Sequence, residues 1–193
     1  MSISSFLKGL FGAIGSSSSQ DPKASFKKTT KTFTFDAIPA SVEELKALPE
    51  ADLDSPFKTA ALTVLALNVY SENADLGAAM LDFLNGPNTV SPREKQFLRD
   101  RFMDGKTYVP RSFFAGSSPD NDYTPKKPYT VTVSDNPYSY DSVGYAIMWL
   151  TSTGADSPRQ VKLRKKESTG EWFLWEQMLL SDIRQPKSSD PWA

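Results

Sequence analysis

Between Ser55 and Tyr70 the chain reads SPFKTAALTVLALNVY, and this segment limits the possible folds more than any other. Ser55 is a favoured N-cap, and Pro56 suits the first helical position, where a missing N–H is no loss. Beyond them Leu62, Val64, Leu65, Leu67 and Val69 are spread around a 3.6-residue period rather than gathered in one stripe. A helix that is apolar nearly all round has to be enclosed. The remaining chain must therefore cover it on more than one side.

Helices flank it. SVEEL has Ser41 as a cap and Glu44 three residues on, the spacing of a capping box. Leu76, Met80, Phe83 and Leu84 share a stripe closed by Gly86 and Pro87. SPREKQFLRDRFMDG repeats the start signal with Ser91, Pro92 and Glu94, stops at Gly105, and offers Phe97, Leu98 and Phe102 as its apolar contacts. Ahead of the helices, KTFTFDAI alternates as a short strand. Residues 104–128 hold four prolines among aromatics, and Tyr108, Phe113, Phe114 and Tyr123 predict a long loop packed on the body.

The last third is β. Four segments, 128–133, 144–152, 159–167 and 171–178, are rich in β-branched and aromatic residues. The expected class is α+β: a helical half followed by a four-stranded antiparallel meander with helices on one face. The final strand carries large side chains on both faces. With a three-residue Ser168-Thr169-Gly170 loop, Val161, Leu163, Phe173 and Trp175 form the core face. Lys162, Arg164, Lys166 and Trp172 then line the other face with Leu174 and Glu176. That face is the candidate interaction surface, since basic groups beside aromatic platforms suit phosphate or acidic peptide.

Composition narrows the chemistry. The 193 residues include no cysteine and no histidine, which removes thiolate nucleophiles, Cys- and His-type metal sites and the Ser-His-Asp triad. No motif calls for a cofactor or a metal. DGKTY at 104–108 lacks the first glycine of a phosphate-binding loop and follows a helix. DNDYTPKKP at 120–128 lacks the glycine and closing glutamate of a calcium loop. The overall charge of −1 gives no reason to expect nucleic acid.

Residues 1–31 read as a flexible basic tail of net +4 ahead of a globular domain over 32–193. Within the tail Phe6, Leu7, Leu10 and Phe11 lie on one helical stripe that could dock on a membrane or partner. The opening residues lack the pattern of a secretory signal, so a cytoplasmic location is expected.

The blocks YVPRSFF, GSSPDNDYTPKKPYTV, NPYSYDSVGYA, GADSPRQVKLRKK and GEWFLWEQMLLSDIRQPKSSDPWA resemble an uncharacterised bacterial family known from gut Firmicutes, over roughly residues 33–193. The resemblance implies no activity and no catalytic residue. Helices followed by strands, ending in a Trp-bearing hairpin, are also similar to the nuclear-transport-factor-2-like cone, a likeness of fold alone. The functional expectation is a non-catalytic binding or interaction domain with a protein or small-molecule partner. One alternative is a ligand carrier or enzyme with a pocket between the sheet and the 104–128 loop, with Arg111, Tyr123, Tyr138, Tyr140 and Trp149 as the residues to test. The other is a peripheral membrane protein held through residues 1–14.

Overall fold

In the computed structural model, which describes residues 25–192, the apolar segment is helix α2, Pro56–Glu72. All but four of its 17 residues are buried. Ser55 does not cap it with its side chain, because the Lys58 N–H is taken by the Ser55 backbone carbonyl at 3.0 Å. Two buried threonines on α2 are satisfied. The Thr63 hydroxyl donates to the Thr59 carbonyl at 2.8 Å, and the Thr59 hydroxyl donates across to the Trp172 carbonyl at 2.7 Å.

Three helices surround this rod. In α1 (Val42–Lys46), Ser41 accepts from the Glu44 N–H as its spacing requires, but the Glu44 carboxylate reaches back to the Ala40 N–H. In α3 (Ala74–Asn85), the Asn73 side chain caps the Leu76 N–H at 3.1 Å. Gly77 lets α3 lie directly on α2, since a Cβ there would fall 2.2 Å from the Tyr70 Cα. α4 (Pro92–Phe102) starts with the full Ser91/Glu94 capping box. Of its three expected contacts, Leu98 is buried and Phe102 stacks on Tyr70. Phe97 instead faces solvent, where Arg101 lies over its ring.

The other side of α2 is covered by an antiparallel sheet whose strands follow chain order. The sheet has five strands rather than four. The additional one is β1, Thr30–Phe35, which pairs with β2 (Tyr129–Ser134) from Thr30↔Ser134 to Phe35↔Tyr129. Thr30 and Lys31, which fall within the tail expected over residues 1–31, thus belong to the sheet. Val131, Val133, Ala146, Met148, Leu150, Val161 and Leu163 face inward and join one buried cluster with α2.

β2 pairs with β3 (Tyr145–Leu150) at only two positions, Val133↔Leu150 and Ser134↔Trp149. Chain segments fill both freed edges. Phe114 bridges Val131, and the Ala115 N–H donates to the Thr130 carbonyl. On β3 the Ile147 N–H donates to the Ser139 carbonyl, and the Ser139 hydroxyl donates to the Ile147 carbonyl. The 104–128 loop is therefore packed as its aromatics require, with Phe113, Phe114 and Tyr123 buried.

The hairpin of β4 (Arg159–Lys165) and β5 (Trp172–Gln177) corrects the expected register. The Lys166 N–H donates to the Glu171 carbonyl and the Gly170 N–H to the Lys166 carbonyl, so the loop holds four residues, 167–170. Gly170 takes the left-handed position at φ 81°. The longer loop shifts the pairing by one, to Lys165↔Trp172, Arg164↔Phe173 and Leu163↔Leu174. A one-residue slip exchanges the faces of a strand. Leu174 is accordingly the buried residue, and Trp172 packs against the core with it. A bulge then restores the register of the three-residue loop at Lys162↔Glu176 and leaves Trp175 unpaired and 41% exposed.

Candidate functional site

Trp175 owes its outward face to the loop register, because it follows the inward Leu174 and side chains alternate. The bulge at this point leaves the indole without a ladder partner on the outer face of the sheet. The ring meets Tyr145 edge-on, with centroids 5.7 Å apart. The Arg164 guanidinium lies over both, 4.9 Å from the Trp175 ring and 5.7 Å from the Tyr145 ring. The Lys162 ammonium is 4.7 Å from the Tyr145 centroid. Lys166 is next in the row, and Lys165 lies beside it, opposite Trp172 in the ladder. None of these four cations forms an ion pair among the described residues.

Next to this row is a groove of about 380 Å³ between the hairpin and the end of α3. Arg164, Lys165, Lys166, Phe173 and Trp175 line it from the hairpin, and Asn85, Pro87 and Asn88 from the helix side. Gly86 makes the approach possible: it takes φ 65°, and a Cβ on it would fall 2.4 Å from the Phe173 ring. Asn85 is 8% exposed, and its side-chain amide has no hydrogen bond among the described residues. Its remaining exposure is to the groove and to a small cleft beside it.

The expected interaction residues are thus partly assembled. Lys162 and Arg164 share the outer face, and Lys166 joins Arg164 at the groove. Trp172 is not with them. Its side chain packs inward, its N–H donates to the Leu53 carbonyl and its carbonyl accepts from Thr59. Trp175 takes the place expected of Trp172.

The five expected ligand-binding residues have separate roles. Arg111 donates to the Thr107 hydroxyl at 3.3 Å and approaches Glu72 at 4.0 Å, while its Nε is buried without a partner among the described residues. Tyr123 is fully buried, stacks on Tyr108 and donates to the Arg184 carbonyl at 2.7 Å. Burial, aided by the Tyr108 phenol, pushes the Tyr123 pKa up to about 12. Tyr138 and Tyr140 flank the strand-like Ser139 and are 61% and 49% exposed. Desolvation, with Asp135 contributing, raises the Tyr140 phenol. Trp149 is half-buried on the outer face opposite Gln160, and its indole N–H has no partner among the described residues. Phe6, Leu7, Leu10 and Phe11 lie outside the described residues.

Over residues 37–187 the chain matches the family described as a domain of unknown function (DUF6935). It belongs to that family. No curated protein and no solved structure matches it. Among the described residues no helix is long and apolar enough to cross a membrane. Nor do three acidic side chains gather there as a metal site would need.

The sequence assigns Trp175 to the core face and does not single out Asn85 or Tyr145 as site residues. Tyr145 carries an alternation signal, and Trp175 would have followed from the correct loop length. Asn85 carries none, because it reads as the last residue before a Gly-Pro helix stop and is distant in sequence from the hairpin it meets.

Proposed function

We propose that this member of the family is a non-catalytic cytoplasmic binding domain that takes an anionic ligand at the hairpin end of its sheet. One observation carries the reading: Lys162 and Arg164 lie over aromatic faces, Lys165 and Lys166 line the groove with Arg164, and none of the four has a carboxylate partner among the described residues. Cations stacked on rings are pre-positioned, so less side-chain freedom is lost when an anion arrives. With neither histidine nor cysteine in the chain, the usual proton-transfer and thiolate chemistry has no residue to use.

The test is calorimetric titration of the full chain with pyrophosphate at low and high salt. Binding should weaken as salt screens the cations. Arg164→Gln should weaken it several-fold, while Lys58→Gln, whose ammonium is already paired with Asp52 and Asp54, should not. No binding, or equal binding by Arg164→Gln, would overturn the proposal.

A further inference from the structure

We infer that the groove between the hairpin and the end of α3 is a small-molecule site for a nucleoside phosphate of the adenine type. This rests on the anionic-ligand reading above and specifies what the anion is attached to. The groove volume of about 380 Å³ falls at the lower end for small-ligand sites, the size of one ring system with a short substituent rather than a polymer. Its chemistry divides into three parts. Arg164, Lys165 and Lys166 face it against the single carboxylate of Glu167, an excess of positive charge suited to phosphate. Trp175 and Phe173 supply aromatic surface for a flat ring.

Asn85 supplies the third part and is the observation that points to a ligand. The residue is more than nine-tenths buried and lines the groove, and its amide, which has no hydrogen bond among the described residues, keeps an accessible edge. An amide presents a donor and an acceptor side by side, and the matching partner is a ring edge with the reverse pair, as adenine has. A bare phosphate offers no donor–acceptor edge, and an aliphatic anion would leave the aromatic surface unused.

The experiment is a titration of the full chain with adenosine monophosphate, ribose 5-phosphate and adenosine, followed by calorimetry and by thermal shift. Adenosine monophosphate should bind roughly ten-fold or more tightly than either fragment, because each fragment lacks one set of contacts. Asn85→Ala should remove most of the advantage over ribose 5-phosphate and leave the fragment's own binding unchanged. The wild-type series decides the matter even if that variant does not fold. Equal affinity for adenosine monophosphate and ribose 5-phosphate would overturn this inference while leaving the anion reading intact. Failure of all three ligands together with pyrophosphate would overturn both.

Discussion

Arg164 and Trp175 are stacked, with the guanidinium carbon 4.9 Å from the ring centroid, although Arg164 is opposite Phe173 in the ladder. Alternation puts Trp175 on the outer face with Arg164 while Leu174 stays in the core, and the bulge between Leu174 and Glu176 leaves Trp175 out of the ladder. Replacing Leu174 by Ala should therefore cost about 2–5 kcal/mol, the range for emptying a buried site. Trp175→Ala should cost only about 1–2 kcal/mol, for a lost cation–π contact and one aromatic edge contact. Urea melts of the two variants check the order. A larger loss for Trp175→Ala would mean that the faces of β5 are exchanged.

What the sequence makes legible follows how local each signal is. α2 is evident because its apolar side chains cover the whole helix surface, and Ser91 with Glu94 marks the start of α4 because both partners of the box lie within one turn. Strand faces depend on turn length, and a single residue decides them. A three-residue and a four-residue loop both place Gly170 in the left-handed position, so glycine alone cannot choose between them. Leu174 and Trp175 are both good core residues, which leaves hydrophobic pattern equally undecided. The groove was hidden for a different reason: Asn85 and Arg164 come to line it through tertiary packing, to which no local pattern points.

Gly77→Ala sets two effects against each other. Alanine is the better helix former by about 1 kcal/mol. The new methyl would lie 2.2 Å from the Tyr70 Cα, a backbone atom that cannot turn aside, so α2 and α3 would have to separate. Overpacking of this kind costs about 1–3 kcal/mol or more and should prevail. The denaturation midpoint of Gly77→Ala should fall. A rise would show that the two helices are not in contact there.

Arg159 spreads its guanidinium over three carbonyls. Nε donates to Ser181 at 2.8 Å, Nη1 to Ser157 at 2.9 Å and Nη2 to Asp182 at 2.9 Å. Lysine keeps the charge but lacks the planar fork that reaches them together. Arg159→Lys should lower stability by about 1–2 kcal/mol and release the 181–184 segment first. Hydrogen exchange at the Arg184 amide, which donates to the Gly154 carbonyl, should quicken more than exchange in α2. Uniform quickening would place the clamp elsewhere.

Tyr123 sets the alkaline limit. Its phenol is fully buried, donates to the Arg184 carbonyl, and has its pKa pushed up to about 12, chiefly by burial. In the unfolded chain the same group titrates near pH ~10. Between those values the unfolded state releases a proton that the folded state keeps, so alkali favours unfolding. The contribution is fully present below about pH 10 and is lost as the pH rises toward 12, amounting to about 2–3 kcal/mol. Phenylalanine has no proton to lose. Tyr123→Phe should cost about 1–2 kcal/mol at neutral pH, because the Arg184 carbonyl loses its donor. Its stability should then fall less steeply above pH ~10, although Tyr70 and Tyr108, also raised by burial, still contribute. Urea melts of both proteins from about pH 8 to pH 11.5 measure this difference, and the gap between them should narrow with rising pH. A gap that stays constant would mean that the Tyr123 proton is not what alkali removes.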